Sequence, residues 1–196
     1  MLVLASASPR RRALLAAEGL DFRVDPADVD ESLEGGREPE EAARELAQRK
    51  AEAVLPRYSG QPVWILAADT IVALQEGAGA WRLLGKPADA AEAASMLRSL
   101  SDSAHRVVTG VCAARGLDGA LEVTSETTLV TMRTIEPHEV DDYVASGEWQ
   151  GKAGGYAIQE TADRFVVALE GGGFDNVVGL PVARALELVH GLGLPR

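Results

Sequence analysis

Val63-Trp64-Ile65-Leu66-Ala67-Ala68-Asp69-Thr70 is a near-continuous apolar run that closes on a carboxylate and a hydroxyl. An apolar run this short, with no polar alternation, predicts a central strand covered on both faces, as in an open α/β sheet. Sheets of that kind place ligand chemistry at the carboxyl ends of their strands, which makes Asp69 a candidate site residue. A turn-capping Asp is the other reading, and position alone leaves both open. Beyond Thr70 the chain stays extended through Ile71-Val72-Ala73-Leu74. A glycine-rich turn and Trp81-Arg82-Leu83-Leu84 then suggest a hairpin partner.

Upstream, Leu2-Val3-Leu4-Ala5-Ser6-Ala7-Ser8-Pro9-Arg10-Arg11-Arg12 predicts a short strand running into a helix. Ser8 suits the N-cap, Pro9 the first helical position, and Gly19 the terminator. Three arginines at a helix N-terminus oppose the positive end of the helix dipole. They are either a solvated turn or, with free backbone N–H groups and serine hydroxyls, a phosphate site. Helical neighbours lie about 100° apart, so at most two of the three face one ligand.

Asp21 to Val24 reads as a second short strand, followed by an acidic loop from Asp25 to Glu34. A long helix runs from Glu38-Pro39 to about Leu55, with the apolar stripe Ala43, Leu46, Ala47, Val54. Lys50 falls on that stripe. A lysine there either snorkels to water or meets an anion. Gly85-Lys86-Pro87 leads into a helix ending near Leu100. Strands are expected over His105 to Ala114, Ala120 to Thr134 and Phe165 to Leu169, with helices from Glu136 to about Ser146 and from Pro181 to about His190. Gly151 to Gln159 reads as a loop that lets backbone approach a ligand.

The chain has 196 residues, 46% hydrophobic and 25% charged, with net charge -11. These values fit one globular α/β domain over 1–196. The acidic balance argues against binding a nucleic-acid polymer, although a local cationic pocket still suits a free nucleotide. Cys112, the single cysteine, sits in an apolar run and reads as a buried small hydrophobe. No long apolar segment or basic leader is visible, so a cytoplasmic protein without membrane contact is expected. Only Lys50, Lys86 and Lys152 are lysines among many arginines, a hint that lysine is kept where a compact charge is needed. Phosphate-loop, dinucleotide, zinc-helix and nucleophile-elbow motifs are all missing, and His105, His138 and His190 are scattered. Cations and placed acids remain, a set suited to metal-assisted attack of water on a phosphoanhydride.

The whole chain resembles the Maf family of nucleoside triphosphate pyrophosphatases. The resemblance is carried, in family order, by Leu4 to Arg11, Asp30-Glu31-Ser32, the helix around Lys50, Ala68-Asp69-Thr70, Gly85-Lys86-Pro87, Lys152 to Gln159 and Val178-Gly179-Leu180-Pro181. It implies a bent mixed β-sheet flanked by helices, with two lobes around a deep nucleotide cleft. It further implies cleavage between the α and β phosphates with a divalent metal, Mg²⁺ or Mn²⁺, and a homodimer. Asp69 would be the proton acceptor and, with Glu31, a metal ligand. Ser8, Arg11, Lys50 and Lys86 would bind the triphosphate. Arg10, Thr70 and Gln159 match the branch acting on dTTP and UTP; the 7-methyl-GTP branch has Trp, Gln and Glu there. Within the arginine triplet this makes Arg10 a selectivity residue, Arg11 a phosphate ligand and Arg12 surface. Glu160 departs from the family, which often has Gly at that point, and would either narrow the pocket or add an acid beside the base. A nucleotide-binding regulator of septum formation with little turnover, a sanitising hydrolase for modified pyrimidine nucleotides, and the 7-methyl-GTP branch are the alternatives.

Overall fold

The computed structural model describes residues 1–32, 37–77 and 79–195. The last two residues expected in the acidic loop, Leu33 and Glu34, lie outside the described residues. An open sheet of seven strands runs in the order β2-β1-β3-β5-β6-β7, with β4 also paired to β3. The strands are β1 (Leu2–Leu4), β2 (Phe22–Val24), β3 (Trp64–Glu76), β4 (Ala80–Leu84), β5 (Ala104–Arg115), β6 (Leu121–Met132) and β7 (Val166–Gly171). Helices α1 (Pro9–Ala17), α2 (Pro39–Val54), α3 (Ala90–Leu100), α4 (Pro137–Ser146), α5 (Phe174–Val178) and α6 (Val182–Gly191) complete the α/β fold. No helix among the described residues is long and apolar enough to cross a membrane.

The central strand corrects one expectation. Asp69 does not end β3; it sits within a strand that continues to Glu76. Along one edge, β5 pairs antiparallel with β3 from Trp64 to Ala73, and that ladder carries the strand past Asp69. Along the other edge, β1 pairs in parallel only as far as Leu66, and β4 begins antiparallel pairing only at Val72. Asp69 and Thr70 therefore occupy a gap in the sheet edge. The site lies at the carboxyl end of the parallel pairing, not of the strand.

The period of two along β3 separates the two residues. Ile65, Ala67 and Ile71 face α2, whose buried side is Ala42, Ala43, Leu46, Ala47, Lys50, Ala51 and Val54. Asp69 shares their parity. Gly110 stands opposite Asp69 in the ladder, and a Cβ there would lie 2.0 Å from the Ala43 carbonyl oxygen. Only glycine lets α2 settle this close to the sheet, which brings Lys50 down beside Asp69. Leu66, Ala68 and Val72 point to the opposite face, which carries two apolar cores. One joins β1, α1 and α6; the other joins α3, α4 and the segment around Tyr156. Ala68 belongs to the first and Val72 to the second, so Thr70 stands at the seam.

α5 was not legible as a separate helix, because five residues following three glycines carry no helical periodicity. The loop after α4 contains two short 3₁₀ turns, Ala153–Gly155 and Thr161–Phe165. Cys112 is buried, and burial pushes its thiol up to about 12.

Candidate active site

A cleft of about 630 Å³ opens at the gap in the sheet edge. Ser8, Arg10, Arg11, Glu31, Lys50, Asp69, Thr70, Lys86 and Gln159 all line it, brought together from six stretches of chain. Lys152 lines it too, so all three lysines face one cavity. Five cations and three carboxylates give the walls a surplus of positive charge in a chain of net charge -11. Arg12 is exposed on α1.

One wall is ionic. Lys50 and Asp69 are 8% and 7% exposed, and Lys50 Nζ donates to Asp69 Oδ1. The same ammonium lies 2.7 Å from Glu31 Oε1, while Lys86 Nζ donates to Glu31 Oε2 at 3.1 Å. Lys50 thus meets anions instead of snorkelling, as its place on the buried stripe allowed. Partial burial opposes the charge on Glu31. The hydrogen bonds and charges of Lys50 and Lys86 outweigh it and hold the carboxyl below its ordinary range.

The facing wall is built from hydroxyls, a carbonyl and the Arg11 guanidinium, with Arg10 close enough to oppose the Arg11 charge. Ser8 caps α1 by accepting the Arg11 backbone N–H, and Pro9 takes the first helical position. Arg11 Nε donates to the Gly179 carbonyl at 2.7 Å, Nη1 to Ser6 Oγ at 3.3 Å and Nη2 to Thr70 Oγ1 at 3.0 Å. Gly179 has φ +126°, and a Cβ there would press to 3.3 Å from Thr70 Oγ1, so glycine serves both conformation and space. Burial works against the Arg11 charge, and Asp69 and Glu31 support it. Behind Thr70, Thr109 Oγ1 lies 3.0 Å away and donates to the Asn176 carbonyl at 2.9 Å.

The far end of the cleft carries Gln159. Lys152 is buried and donates to the Glu148 carbonyl and to Glu160 Oε2. Gln159 Nε2 lies 3.5 Å from Glu160 Oε1. The acid that departs from the family pattern is therefore compensated by a lysine. Below it, Tyr156 shares a 2.8 Å hydrogen bond with His105 Nε2, and burial pushes that imidazole down to about 4.

Sequence reasoning did not single out Thr109 or Asn176, nor assign a role to Lys152; Ser6 entered it only as one of the two serine hydroxyls beside the arginines. Thr109 had a readable signal, a hydroxyl between Val107 and Val111 on the buried face of a strand. Asn176 had none, since its element was not recognised.

The donor set suits a hard divalent cation. Glu31 and Asp69 already turn oxygens toward a common point, now taken by Lys50 Nζ, and carboxylate oxygen is the ligand such ions prefer. Among the described residues no group of three or more His, Cys, Asp or Glu forms a closed cage. An ion here would complete its shell with water and substrate oxygens, the usual habit of Mg²⁺.

Residues 1–192 match the family model described as Maf-like protein. A protein of Pelotomaculum thermopropionicum named dTTP/UTP pyrophosphatase is 45% identical over 192 residues, covering 98% of this chain and 96% of its own. Proteins of the same name from Zymomonas mobilis and Thermomicrobium roseum are 46% and 47% identical, each over 99% of this chain and over 92% and 85% of their own lengths. With a cleft built on the same blocks that carry the resemblance, and with these matches along nearly its full length, the chain belongs to the Maf family.

Proposed function

We propose that the chain hydrolyses dTTP and UTP to the nucleoside monophosphate and pyrophosphate. The observation that carries this reading is the cleft itself, in which a buried, lysine-tied carboxylate faces a surplus of cations. Three relatives at 45–47% identity bear the matching name. A divalent cation bound by Asp69 and Glu31, Mg²⁺ or Mn²⁺, would hold phosphate oxygens and acidify the attacking water. Asp69 accepts the proton of that water through a carboxylate oxygen. Lys50 keeps Asp69 oriented, and its ammonium stands ready for negative charge developing on the phosphates. Lys86 serves the triphosphate tail, with Glu31 holding it in place. Ser8 and Arg11 bind phosphate oxygens at the head of α1, where the guanidinium fork keeps donors spare beyond its three bonds. Arg10, Thr70 and Gln159 select the pyrimidine branch. The chain works as one unit, in a cytoplasmic homodimer.

The test is incubation with dTTP and UTP in Mg²⁺ or Mn²⁺, with products resolved chromatographically. The expected products are dTMP or UMP with pyrophosphate. Release of dTDP and orthophosphate would overturn the cleavage position. Tight triphosphate binding without turnover in either metal would mark a nucleotide-binding regulator instead.

A further inference from the structure

The hydrogen bonds behind Thr70 run in one direction. A guanidinium only donates, so Arg11 Nη2 gives a proton to Thr70 Oγ1 at 3.0 Å. A backbone carbonyl only accepts, so at 2.9 Å the Thr109 hydroxyl spends its single proton on Asn176 O. Thr109 can then only accept from Thr70, 3.0 Å away. The reverse order would strip a carbonyl of its donor in a fully buried place, since Thr109 and Asn176 are both 0% exposed. Asn176 is itself fixed, its Nδ2 donating to Val107 O at 3.1 Å and to Thr128 Oγ1 at 2.8 Å. The Thr70 proton therefore points away from the cleft, and what Thr70 offers a ligand is a lone pair.

Gln159 is turned the same way. A carboxylate only accepts, so the atom facing Glu160 Oε1 at 3.5 Å is the amide nitrogen. Lys152 holds the other oxygen of that carboxylate. The amide oxygen of Gln159 and the second N–H of its nitrogen remain for the ligand.

We infer that Thr109, though it touches no substrate, is a positioning residue that fixes the hydrogen-bond polarity of Thr70, so that Thr70 presents an acceptor to the base and the pocket takes pyrimidines with a protonated N3. The inference rests on the proposed reading that Thr70 and Gln159 meet the base. Uracil and thymine carry a donor at N3. Cytosine carries an acceptor there, which would oppose lone pair to lone pair. A pocket that rejects a ligand through mismatched polar groups discriminates more strongly than one relying on shape.

The experiment compares UTP with CTP, as kcat/KM ratios, for the unaltered protein, Thr109→Val and Thr109→Ser. Thr109→Val leaves the Thr70 hydroxyl free to rotate and donate into the cleft. The UTP-over-CTP ratio is expected to fall roughly tenfold, the scale of one mispaired buried polar group. Thr109→Ser keeps the hydroxyl and should restore the ratio. Thr128→Val removes a neighbouring buried hydroxyl without touching the polarity of Thr70; it should lower thermal stability and leave the ratio alone. An unchanged ratio in Thr109→Val, failure of Ser to rescue, or an equal loss in Thr128→Val overturns the inference. If Thr109→Val does not fold, Thr109→Ala removes the same hydroxyl and is judged by the same criteria. Binding of α,β-methylene UTP and CTP gives the same ratio without turnover. An unaltered protein that binds the UTP analogue and cleaves nothing refutes the enzymatic reading, while the binding ratios still decide this one.

Discussion

Asp69 and Thr70 are chain neighbours on one strand, yet they belong to opposite walls of the cleft. Asp69 faces α2 and is held by an ammonium, with Glu31 and Lys86 completing an ionic chain. Thr70 faces the seam between two apolar cores and is held by the Arg11 fork and by the Thr109 hydroxyl, which is itself fixed on the Asn176 carbonyl. The ionic wall can neutralise charge and move a proton. The hydrogen-bonded wall does not move a proton as readily, but it fixes direction, because each hydroxyl has one proton to spend. Chemistry and selectivity are thereby divided by the two-residue period of a single strand.

The division is most severely tested at Asp69. Asp69→Asn preserves shape and removes the proton acceptor, so kcat should fall about a thousandfold, the scale of a lost general base. Circular dichroism should show the protein still folded, and retention of most turnover would move the chemistry off this wall. Arg11→Ala comes next. It takes a charged donor from both the phosphates and Thr70, and roughly a ten- to hundredfold loss in kcat/KM is expected.

Acid should loosen the ionic wall alone. The Glu31 carboxyl is held below its ordinary value of 4.5, so the stability it lends is complete above that pH and is lost as pH falls through the lowered folded value. Nucleotide affinity should weaken over that acid window, and Glu31→Gln should flatten the profile. A Glu31→Gln profile identical to that of the unaltered protein would show that the tie has no part in binding. The smallest effect is expected at Arg12, which is exposed and outside the cleft. Arg12→Ala should leave kcat/KM within about twofold, as surface substitutions do. A loss equal to that of Arg11→Ala would erase the distinction between the two arginines.

How much of this was legible depended on the range of the signal. The Ser8 cap, the Pro9 start and the Lys50 position on a buried stripe lie within single helices, where a 3.6-residue period and capping chemistry suffice. The seam at Thr70 and Thr109 was half legible, as hydroxyls interrupting apolar faces, but their facing across the β3–β5 ladder depended on register. The extended chain past Thr70 was read from the sequence, but Asp69 was placed at the end of its strand, because a strand ends where its partners end. Here one edge loses its partner at Leu66 while the other keeps its own to Ala73.

By itself the sequence determined which segments form strands and helices, which faces are apolar, and which short blocks hold the lysines, arginines and acids of the cleft. Those properties are set by residues a few positions apart. Tertiary structure decided the pairings: Lys50 between Asp69 and Glu31, Arg11 on a carbonyl 168 residues away, and Thr109 behind Thr70. Charge neutralisation and hydrogen-bond direction depend on distances of a few ångströms between remote segments. Only the register of the sheet and the close seating of α2 on Gly110 establish those distances.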